Sequence, residues 1–323
     1  MVNFFDRLYS SIKDRKTLLT KLRYYSALRF MVRVISNMIL PICFYVTNGD
    51  RKYLIKACIK TEGRIIVSLT SFPGRIGRLW LVIESLLRQT QKPDKIILWL
   101  SEEQFPDLQT LPKKLLRLQK RGLEIRLCRD DLRSHKKYYY AMQEFPNDII
   151  ITVDDDVFYH SFLVENLIKL NQKFPTCVCC NHCSKIEVSN DVIQPYVSWK
   201  NQPLAESPGY DIFPIGIGGV LYPPHVLHPT VFNSAAFVKY CFMADDIWLN
   251  AMTKLAKNMA VKSFYNSCYL PVMNFRNITL TSKNVNEGFN DGQLAAVRAF
   301  CIEALSEDPF KIIEHQMENL IRY

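Results

Sequence analysis

Three consecutive carboxylates, Asp154, Asp155 and Asp156, are the strongest chemical signal in the sequence. They directly follow the apolar run 148–153, which is typical of a buried strand. Adjacent carboxylates raise one another's pKa unless a cation lies among them. Because alternate residues of an extended strand end project to the same side, Asp154 and Asp156 can face one crevice while Asp155 points elsewhere. The pattern predicts that Asp154 and Asp156 bind Mn²⁺ or Mg²⁺, and a solvated acidic turn or a helix N-cap is the alternative.

A cysteine-rich run at 177–183 is the second group of residues that could bind a metal. Cys180 and Cys183 have the spacing that lets two thiolates share one zinc ion. No second CxxC or HxxxH follows, and the run begins inside an apolar stretch, so we expect buried thiols instead. We interpret the ten cysteines of the chain as reduced thiols of a cytoplasmic protein.

The elements that must position the triple aspartate alternate between strand and helix. The strand patterns lie at 64–70, 95–100, 123–128 and 148–153, and the helical patterns at 79–89, 111–120 and 136–144. This alternation predicts an α/β fold with a doubly wound, mainly parallel sheet flanked by helices. The ligand crevice of such a sheet lies at the carboxyl ends of its strands, where the triple aspartate is expected.

The net charge of +10 is concentrated at the N-terminus. Residues 1–60 hold twelve basic and three acidic residues, a balance of +9, so the remaining chain is nearly neutral. A nucleic-acid-binding domain would carry a basic stripe on its folded body. The distribution therefore argues against nucleic acid as a partner.

The N-terminal segment, residues 1–60, is predicted to form a basic amphipathic helix. Apolar residues recur at helical spacing between Leu18 and Phe44, which fits a helix on an anionic membrane surface as well as one packed on the folded domain or on another subunit. The most apolar stretch, 34–47, has about fourteen residues against the ~20 of a spanning helix. We therefore expect no membrane crossing and no secretory signal. The expected location is the cytoplasm, either in solution or peripheral on the inner face of the membrane.

Six motifs resemble, in the same order, those of GT-A fold glycosyltransferases, close to glycosyltransferase family 2 and to the exostosin-type enzymes. The runs 68–75, 85–89 and 134–141 are similar to the nucleotide-contacting turn, the helix after it and the basic stretch before the DxD strand. The runs 150–159, 216–222 and 244–249 are similar to the DxD segment, the glycine-rich acceptor loop and the second acidic motif. The resemblance covers about residues 64–300 and implies a metal-dependent, Rossmann-like GT-A enzyme.

The resemblance also implies a set of donor-binding residues. These are Thr70, Ser71, Arg75, Glu102, Lys136, Lys137, Asp154 and Asp155. Lys136 or Lys137, together with the metal, would stabilise the charge on the leaving diphosphate, and a solvated helix start is the alternative for both lysines. Glu102 stands in for the acidic residue that the family has at the end of its second strand, so the nucleobase contacts depart from the usual pattern.

On the acceptor side, the resemblance implies Asp246 or Asp245 as the base that takes the proton of the acceptor hydroxyl. We favour Asp246, because the family's second acidic motif usually places its base last before the apolar turn, and an N-cap role for one of the two is the alternative. Trp199 would stack on the acceptor sugar unless it fills the core. Gly218 and Gly219 would let a sugar approach the backbone closely, or would serve a tight turn.

These expectations describe an enzyme that moves a sugar from a nucleotide-sugar, UDP-linked in our interpretation, to a saccharide or lipid-linked saccharide during surface polysaccharide assembly. Residues 61–305 would form the GT-A domain and residues 306–323 a C-terminal helix or tail. A non-catalytic sugar-nucleotide-binding module is one alternative, but it needs no second acid pair. A nucleotidyltransferase is the other, and it would show a glycine-rich basic loop after its first strand, of which 71–75 is a poor version.

Overall fold

The computed structural model describes residues 1–12, 23–47, 59–190, 192–199, 204–265, 269–274 and 289–313. The helices in these ranges are α1 (Val2–Ser11), α2 (Tyr24–Val46), α3 (Leu79–Leu86), α4 (Lys113–Leu116), α5 (Lys136–Glu144), α6 (Leu163–Lys173), α7 (Ser234–Tyr240), α8 (Asp245–Leu255) and α9 (Phe289–Leu305). The strands are β1 (Ile65–Thr70), β2 (Lys95–Ser101), β3 (Leu123–Cys128), β4 (Ile149–Thr152), β5 (Val178–Cys180), β6 (Cys183–Lys185), β7 (Val188–Ser189), β8 (Val192–Ile193), β9 (Ile212–Pro214), β10 (Val220–Tyr222) and β11 (Ala260–Lys262).

A seven-stranded sheet forms the centre of the fold, in the order β11-β5-β10-β4-β1-β2-β3. Strand β10 is antiparallel to both of its neighbours, and the other pairs in this sheet are parallel. Two small antiparallel pairs, β6 with β9 and β7 with β8, complete the described strands. The predicted fold class, α/β with a mainly parallel sheet flanked by helices, is confirmed.

The central strands are buried because helices cover both of their faces. Ile66 of β1 and Ile150 of β4 pack with Phe145, next to α5. The alternate residues Val67 and Ile151 belong to the main apolar cluster on the other face, which contains the buried sides of α3 and α6. This period of two lets both faces of one strand contribute to the core.

The four predicted strands agree with β1 to β4 to within one residue at each end. The predicted helix 111–120 is different: α4 is a single turn, and a 3₁₀ segment continues it to Arg121. Gly122 ends this segment with a φ of 105°, a left-handed conformation that glycine adopts without steric cost. The predicted helix 79–89 ends earlier, at Leu86.

Helix α2 is longer than the apolar stretch that predicted it, since it runs for 23 residues. Arg29 and Arg33 lie inside the helix and do not end it. By length and composition alone, α2 could cross a membrane, so the argument from a short apolar stretch was wrong. Parts of the predicted basic segment, residues 13–22 and 48–58, lie outside the described residues.

The N-terminal helices pack on the sheet domain with one face. Leu40 and Phe44 of α2 are buried in the main apolar cluster. From α1, Asn3 hydrogen-bonds to Ser161, donating to its hydroxyl and accepting from its backbone N–H at 2.8 Å each. These contacts agree with the alternative in which the segment packs on the folded domain. At the other end of the chain, Phe310 is buried against the second apolar cluster.

Candidate active site

A cavity of about 460 Å³ opens at the carboxyl ends of the parallel strands, at the predicted edge of the sheet. Thr70 ends β1, and the triple aspartate follows β4. We call the side built from residues 70–137 the basic wall, because it includes Arg75, Arg133 and two lysines. We call a second group of lining residues, which contains no cationic side chain, the apolar wall, and its members include Tyr196, Phe213, Ile215, Ile217, Met243 and Asn290.

All three aspartates line the cavity, and they differ in exposure in the way that the alternation predicted. Asp155 is buried, and its carboxylate accepts hydrogen bonds from Ser71 Oγ at 2.6 Å and from Arg75 Nη1 at 2.6 Å. The side chains of Asp154 and Asp156 are 31% and 37% exposed to the cavity side. Asp155 therefore holds the turn 71–75 in place, and the other two carboxylates remain accessible.

Lys137, and not Lys136, lies among the acidic residues. Its Nζ is 2.8 Å from Asp154 Oδ1 and 2.9 Å from Asp245 Oδ2. Burial alone would lower the pKa of Lys137, but the two carboxylates outweigh it and raise the pKa well above its usual value. Lys136 is buried in an ion pair with Asp131 on the edge of the same cavity.

Asp245 and Asp246 occupy the first turn of α8, where the helix dipole favours negative charge. The residue at the N-cap is Ala244, so the alternative that one aspartate is the N-cap is wrong. Burial would raise the pKa of Asp245, but Lys137 outweighs it and holds that pKa below its usual value. Burial and the neighbouring Asp245 raise the pKa of Asp246 to about 8. The two carboxyl groups therefore have different protonation behaviour.

Of the glycines that the structure describes, Gly216 is the one next to the acidic residues of the cavity. Its backbone N–H donates to both carboxylate oxygens of Asp246, at 3.2 Å each. A Cβ at this position would lie 3.1 Å from Lys137 Nζ and 3.2 Å from Asp154 Oδ1. The predicted acceptor contacts, Gly218 and Gly219, do not line the cavity.

The two other glycines lie in the tight turn 216–219, which was the alternative stated for them, and close packing leaves no room there for a side chain. A Cβ at Gly218 would lie 2.4 Å from His182 Cβ, and one at Gly219 would lie 2.8 Å from Leu163 Cδ1. Gly219 also has a φ of 78°, which disfavours other residues. Their assignment to acceptor binding is corrected accordingly.

Two other predicted site residues lie elsewhere. Trp199 is only 4% exposed, packs against Tyr196 and Phe213, and donates its indole N–H to the carbonyl of Gln194 at 2.8 Å. It fills the core and has no ring face open to a sugar. Glu102 is exposed in the turn after β2 and does not line the cavity.

Sequence reasoning missed several lining residues. Gln104, and not Glu102, reaches the cavity after β2, and its amide donates to Asp131 at 2.6 Å. A second missed residue is Asn290, at the start of α9. It is buried, and its Oδ1 has no hydrogen-bond partner among the residues that the structure describes. The other residues that line the cavity are far away in the chain, so the local sequence gives no signal for this position.

The carboxylate oxygens in the cavity are of the kind that binds a hard divalent cation. Five carboxylates, Asp154 to Asp156 with Asp245 and Asp246, face two cationic side chains, Arg75 and Lys137. Burial raises the pKa of Asp156 to about 6. The negative charges of the two adjacent aspartates add to this rise, whereas Arg75 opposes it. Within the described ranges, no group of three or more His, Cys, Asp or Glu side chains is arranged as a complete metal site. At many Mg²⁺ sites the protein supplies only one or two carboxylates, and phosphate oxygens and water molecules provide the other ligands.

The cysteine-rich run holds no such set. Cys180 and Cys183 are buried free thiols, and burial raises the pKa of Cys180 well above its usual value. The expectation that Cys180 and Cys183 are buried is confirmed.

Three solved structures are similar to the chain. TarS 1-349 from S. aureus, in complex with UDP, is 11% identical, with a TM-score of 0.41, over 77% of this chain and 68% of that chain. The mannosyltransferase PcManGT from Pyrobaculum calidifontis, in complex with GDP-Man and Mn²⁺, is 10% identical, with a TM-score of 0.46, over 88% and 78%. A 4-diphosphocytidyl-2C-methyl-D-erythritol synthase is 10% identical, with a TM-score of 0.38, over 73% and 100%. No family model matches the chain, and no curated protein does. Similarity at this level concerns the fold and does not assign an activity.

Proposed function

We propose that the protein is a metal-dependent glycosyltransferase that moves a sugar from a nucleotide-sugar, UDP-linked as a first candidate, to a hydroxyl of a saccharide acceptor. One observation carries the proposal. Asp154 and Asp156 at the end of β4 and Asp246 at the start of α8 meet in one cavity between a basic and an apolar wall. A diphosphate and a neutral sugar thus have separate, chemically suitable sides of the same cavity.

Asp154 and Asp156 are the residues that would hold Mn²⁺ or Mg²⁺. A bound divalent ion would neutralise charge on the donor diphosphate and on the leaving group. Arg75 fixes the donor-side turn through Asp155 and also lies 3.0 Å from Asp156 Oδ2. The ammonium of Lys137 keeps its proton in this environment, so it adds a fixed positive charge next to Asp154.

Asp246 is the proposed base. A general base works best when its pKa lies near the working pH, and burial brings the pKa of Asp246 into that range. The N–H of Gly216 orients its carboxylate. In this role Asp246 takes the proton from the acceptor hydroxyl as the hydroxyl oxygen attacks the sugar carbon of the donor. Asp245 remains ionised and positions Lys137 instead.

The apolar wall is the proposed acceptor side. Its described members include no cationic side chain, whereas the basic wall contains several. Tyr196, which is half-buried, offers aromatic surface to the apolar face of a sugar ring, and Asn290 Oδ1 offers an acceptor to one of its hydroxyls. This favours a neutral sugar unit at the reacting end of the acceptor, either free or carried on a lipid as in surface polysaccharide assembly.

The identity of the released product separates this proposal from a nucleotidyltransferase. A glycosyltransferase releases a nucleoside diphosphate, and a nucleotidyltransferase releases pyrophosphate. The full-length protein is first screened against nucleotide-sugars for thermal stabilisation with and without Mn²⁺, and the donor that stabilises it is then used in assays. Release of pyrophosphate from a nucleoside triphosphate would overturn the proposal.

Variants test the assigned roles. Asp156→Asn should abolish Mn²⁺-dependent stabilisation by the donor, and Asp246→Asn should keep that stabilisation but lose turnover. Asp130→Asn, an exposed aspartate outside the cavity, is the matched control and should change neither. Turnover that persists in chelator would exclude the metal role. Loss of turnover in Asp245→Asn with full turnover in Asp246→Asn would reverse the assignment of the base.

A further inference from the structure

Helix α2 carries an apolar stripe that the folded domain leaves uncovered. Met31, Ile35, Met38, Ile42 and Tyr45 follow one another at steps of four, three, four and three residues, so they lie on one side of the helix. Their exposure ranges from 47% to 74%. Five large apolar side chains in a row at this exposure are unusual for a helix that faces water alone.

The opposite side of α2 is fixed to the domain. Asn37 is 5% exposed, donates from Nδ2 to the carbonyl of Pro271 at 3.0 Å, and accepts at Oδ1 from the N–H of Met273 at 2.8 Å. Two turns later, Phe44 packs on Phe158, with ring centroids 6.4 Å apart. A helix that crosses a bilayer needs lipid or helices on all sides, so crossing would break these contacts. The packing instead leaves one face for an interface.

Helix α1 adds a second exposed stripe next to α2. Met1, Phe4 and Leu8 recur at helical spacing and are all exposed, whereas Phe5 is buried against the domain. Asp6 accepts a hydrogen bond from the hydroxyl of Tyr265, which fixes α1 to the domain from its other face. The two stripes therefore belong to one rigid support.

The charge of the segment indicates what covers these stripes. Helix α2 contains two arginines and no acidic residue, and residues 1–60 have a balance of +9 in a chain whose remainder is nearly neutral. Basic residues next to an apolar helical face are attracted to anionic lipid headgroups while the apolar side chains enter the acyl boundary. A second copy of the chain would bring the same positive charge and would be repelled.

We propose that the exposed faces of α1 and α2 form a lipid-docking surface that holds the protein on an anionic bilayer, with α2 parallel to the membrane plane.

The segment 271–274 joins this surface to the active site. It is held by Asn37 on one side, and on the other the N–H of Val272 donates to the carbonyl of Asp156 at 2.8 Å. The carboxamide of Asn274 donates to the carbonyl of Gly74 at 2.7 Å. Docking therefore fixes the position of the cavity relative to the membrane. The docking surface itself does not depend on the proposed chemistry.

Cosedimentation of the full-length protein with lipid vesicles tests the surface. Vesicles of phosphatidylcholine with phosphatidylglycerol should bind the protein, vesicles of phosphatidylcholine alone should bind it weakly, and added salt should reduce binding. The double variant Met38→Gln, Ile42→Gln should lose binding by about tenfold or more, because two side chains no longer enter the bilayer. The matched control is Val238→Gln, Ile302→Gln, which changes two exposed apolar residues on α7 and α9 and should leave binding intact.

Three results would overturn the proposal. Equal binding of the two double variants would mean that the stripe on α2 does not contact lipid. A dimer in light scattering that the α2 variant converts to monomer, with unchanged vesicle binding, would assign the face to a second copy. Protein in cell membranes that resists alkaline carbonate and requires detergent would indicate a crossing helix. Equal melting temperatures of the variants and the natural protein would confirm that none of these readouts reports unfolding.

Discussion

The side-chain nitrogen of Lys137 lies 2.8 Å from Oδ1 of Asp154, although Lys137 is in the first turn of α5 and Asp154 follows β4. The same nitrogen lies 2.9 Å from Asp245 at the start of α8. One buried cation therefore links the triple aspartate after β4 to the acid pair that contains the proposed base. Lys137 and Asp245 are both buried, so the loss of Lys137 would leave the Asp245 carboxylate without its cation in a site removed from water.

Replacing Lys137 by Met should destabilise the fold and abolish turnover. The change leaves buried carboxylates without their cation, which typically costs about 3–5 kcal/mol in the free energy of unfolding. Urea unfolding measures the cost. Lys169→Met is the control, because that lysine forms an exposed pair with Glu165 that should contribute less than about 1 kcal/mol. Similar unfolding free energies for the two variants would contradict the central role of Lys137.

Gly216→Ala should impair turnover while the fold is retained. The added Cβ would press on Lys137 Nζ at 3.1 Å and on Asp246 Oδ1 at 3.3 Å, so it would shift the acidic groups by a few tenths of an ångström. Misplacement of reacting groups on this scale lowers turnover by about tenfold or more. Gly77→Ala is the matched control, since nothing lies within 4 Å of a Cβ there. Full turnover of the Gly216→Ala variant would mean that the reacting groups do not lie next to this glycine.

Asn290→Ala should raise the KM for the acceptor and leave the donor affinity unchanged. The start of α9 connects two loops of the apolar wall: Asp291 accepts from the N–H of Tyr196 at 2.7 Å, and Gln293 accepts from the N–H of Met243 at 3.0 Å. Loss of one neutral hydrogen bond to the acceptor corresponds to about a twofold to tenfold effect. Kinetics with varied acceptor measure it, with Asn171→Ala on α6 as the control. A change in donor affinity with no change in the KM for the acceptor would mean that Asn290 contacts the donor and not the acceptor.

Local patterns in the sequence were sufficient for the central strands and for the triple aspartate. β1 to β4 follow from short apolar runs, and the division between Asp155 and its neighbours follows from the alternation of a strand end. Trp199 could not be placed in this way, because its burial depends on Phe213, which is distant in the chain. The same limit applied to Asn290, whose position depends on how α9 packs.

The N-terminal segment shows a different limit of sequence patterns. Hydropathy indicated an amphipathic helix, but it could not show which face packs on protein. The hydrogen bonds of Asn37 to the segment 271–274, more than 200 residues away in the chain, identify the face of α2 that packs on the domain. A polar residue inside an apolar helix was the available signal, and its partner required the fold.

Lys254 should make stability depend on pH. It lies on α8, 2% exposed, where its ammonium donates to Asn250 and lies 5.2 Å from the centre of the Phe310 ring. Burial lowers its pKa to about 7, and Asp211 only partly opposes this. In the unfolded chain a lysine has a pKa of about 10.4. Between these values the folded state binds fewer protons than the unfolded state, so the free energy of unfolding should rise with pH.

The size of this rise can be measured against a variant that lacks the titrating group. Lys254 should contribute up to about 1.4 kcal/mol per pH unit from about pH 7 to about pH 10, whereas Lys254→Met keeps the stem packing and contributes nothing. Urea unfolding of both proteins at several pH values isolates the difference, because the other titrating groups are common to both. A difference that stays constant across this range would mean that Lys254 keeps its proton in the folded state, with Asn250 and Phe310 stabilising its charge more strongly than burial penalises it.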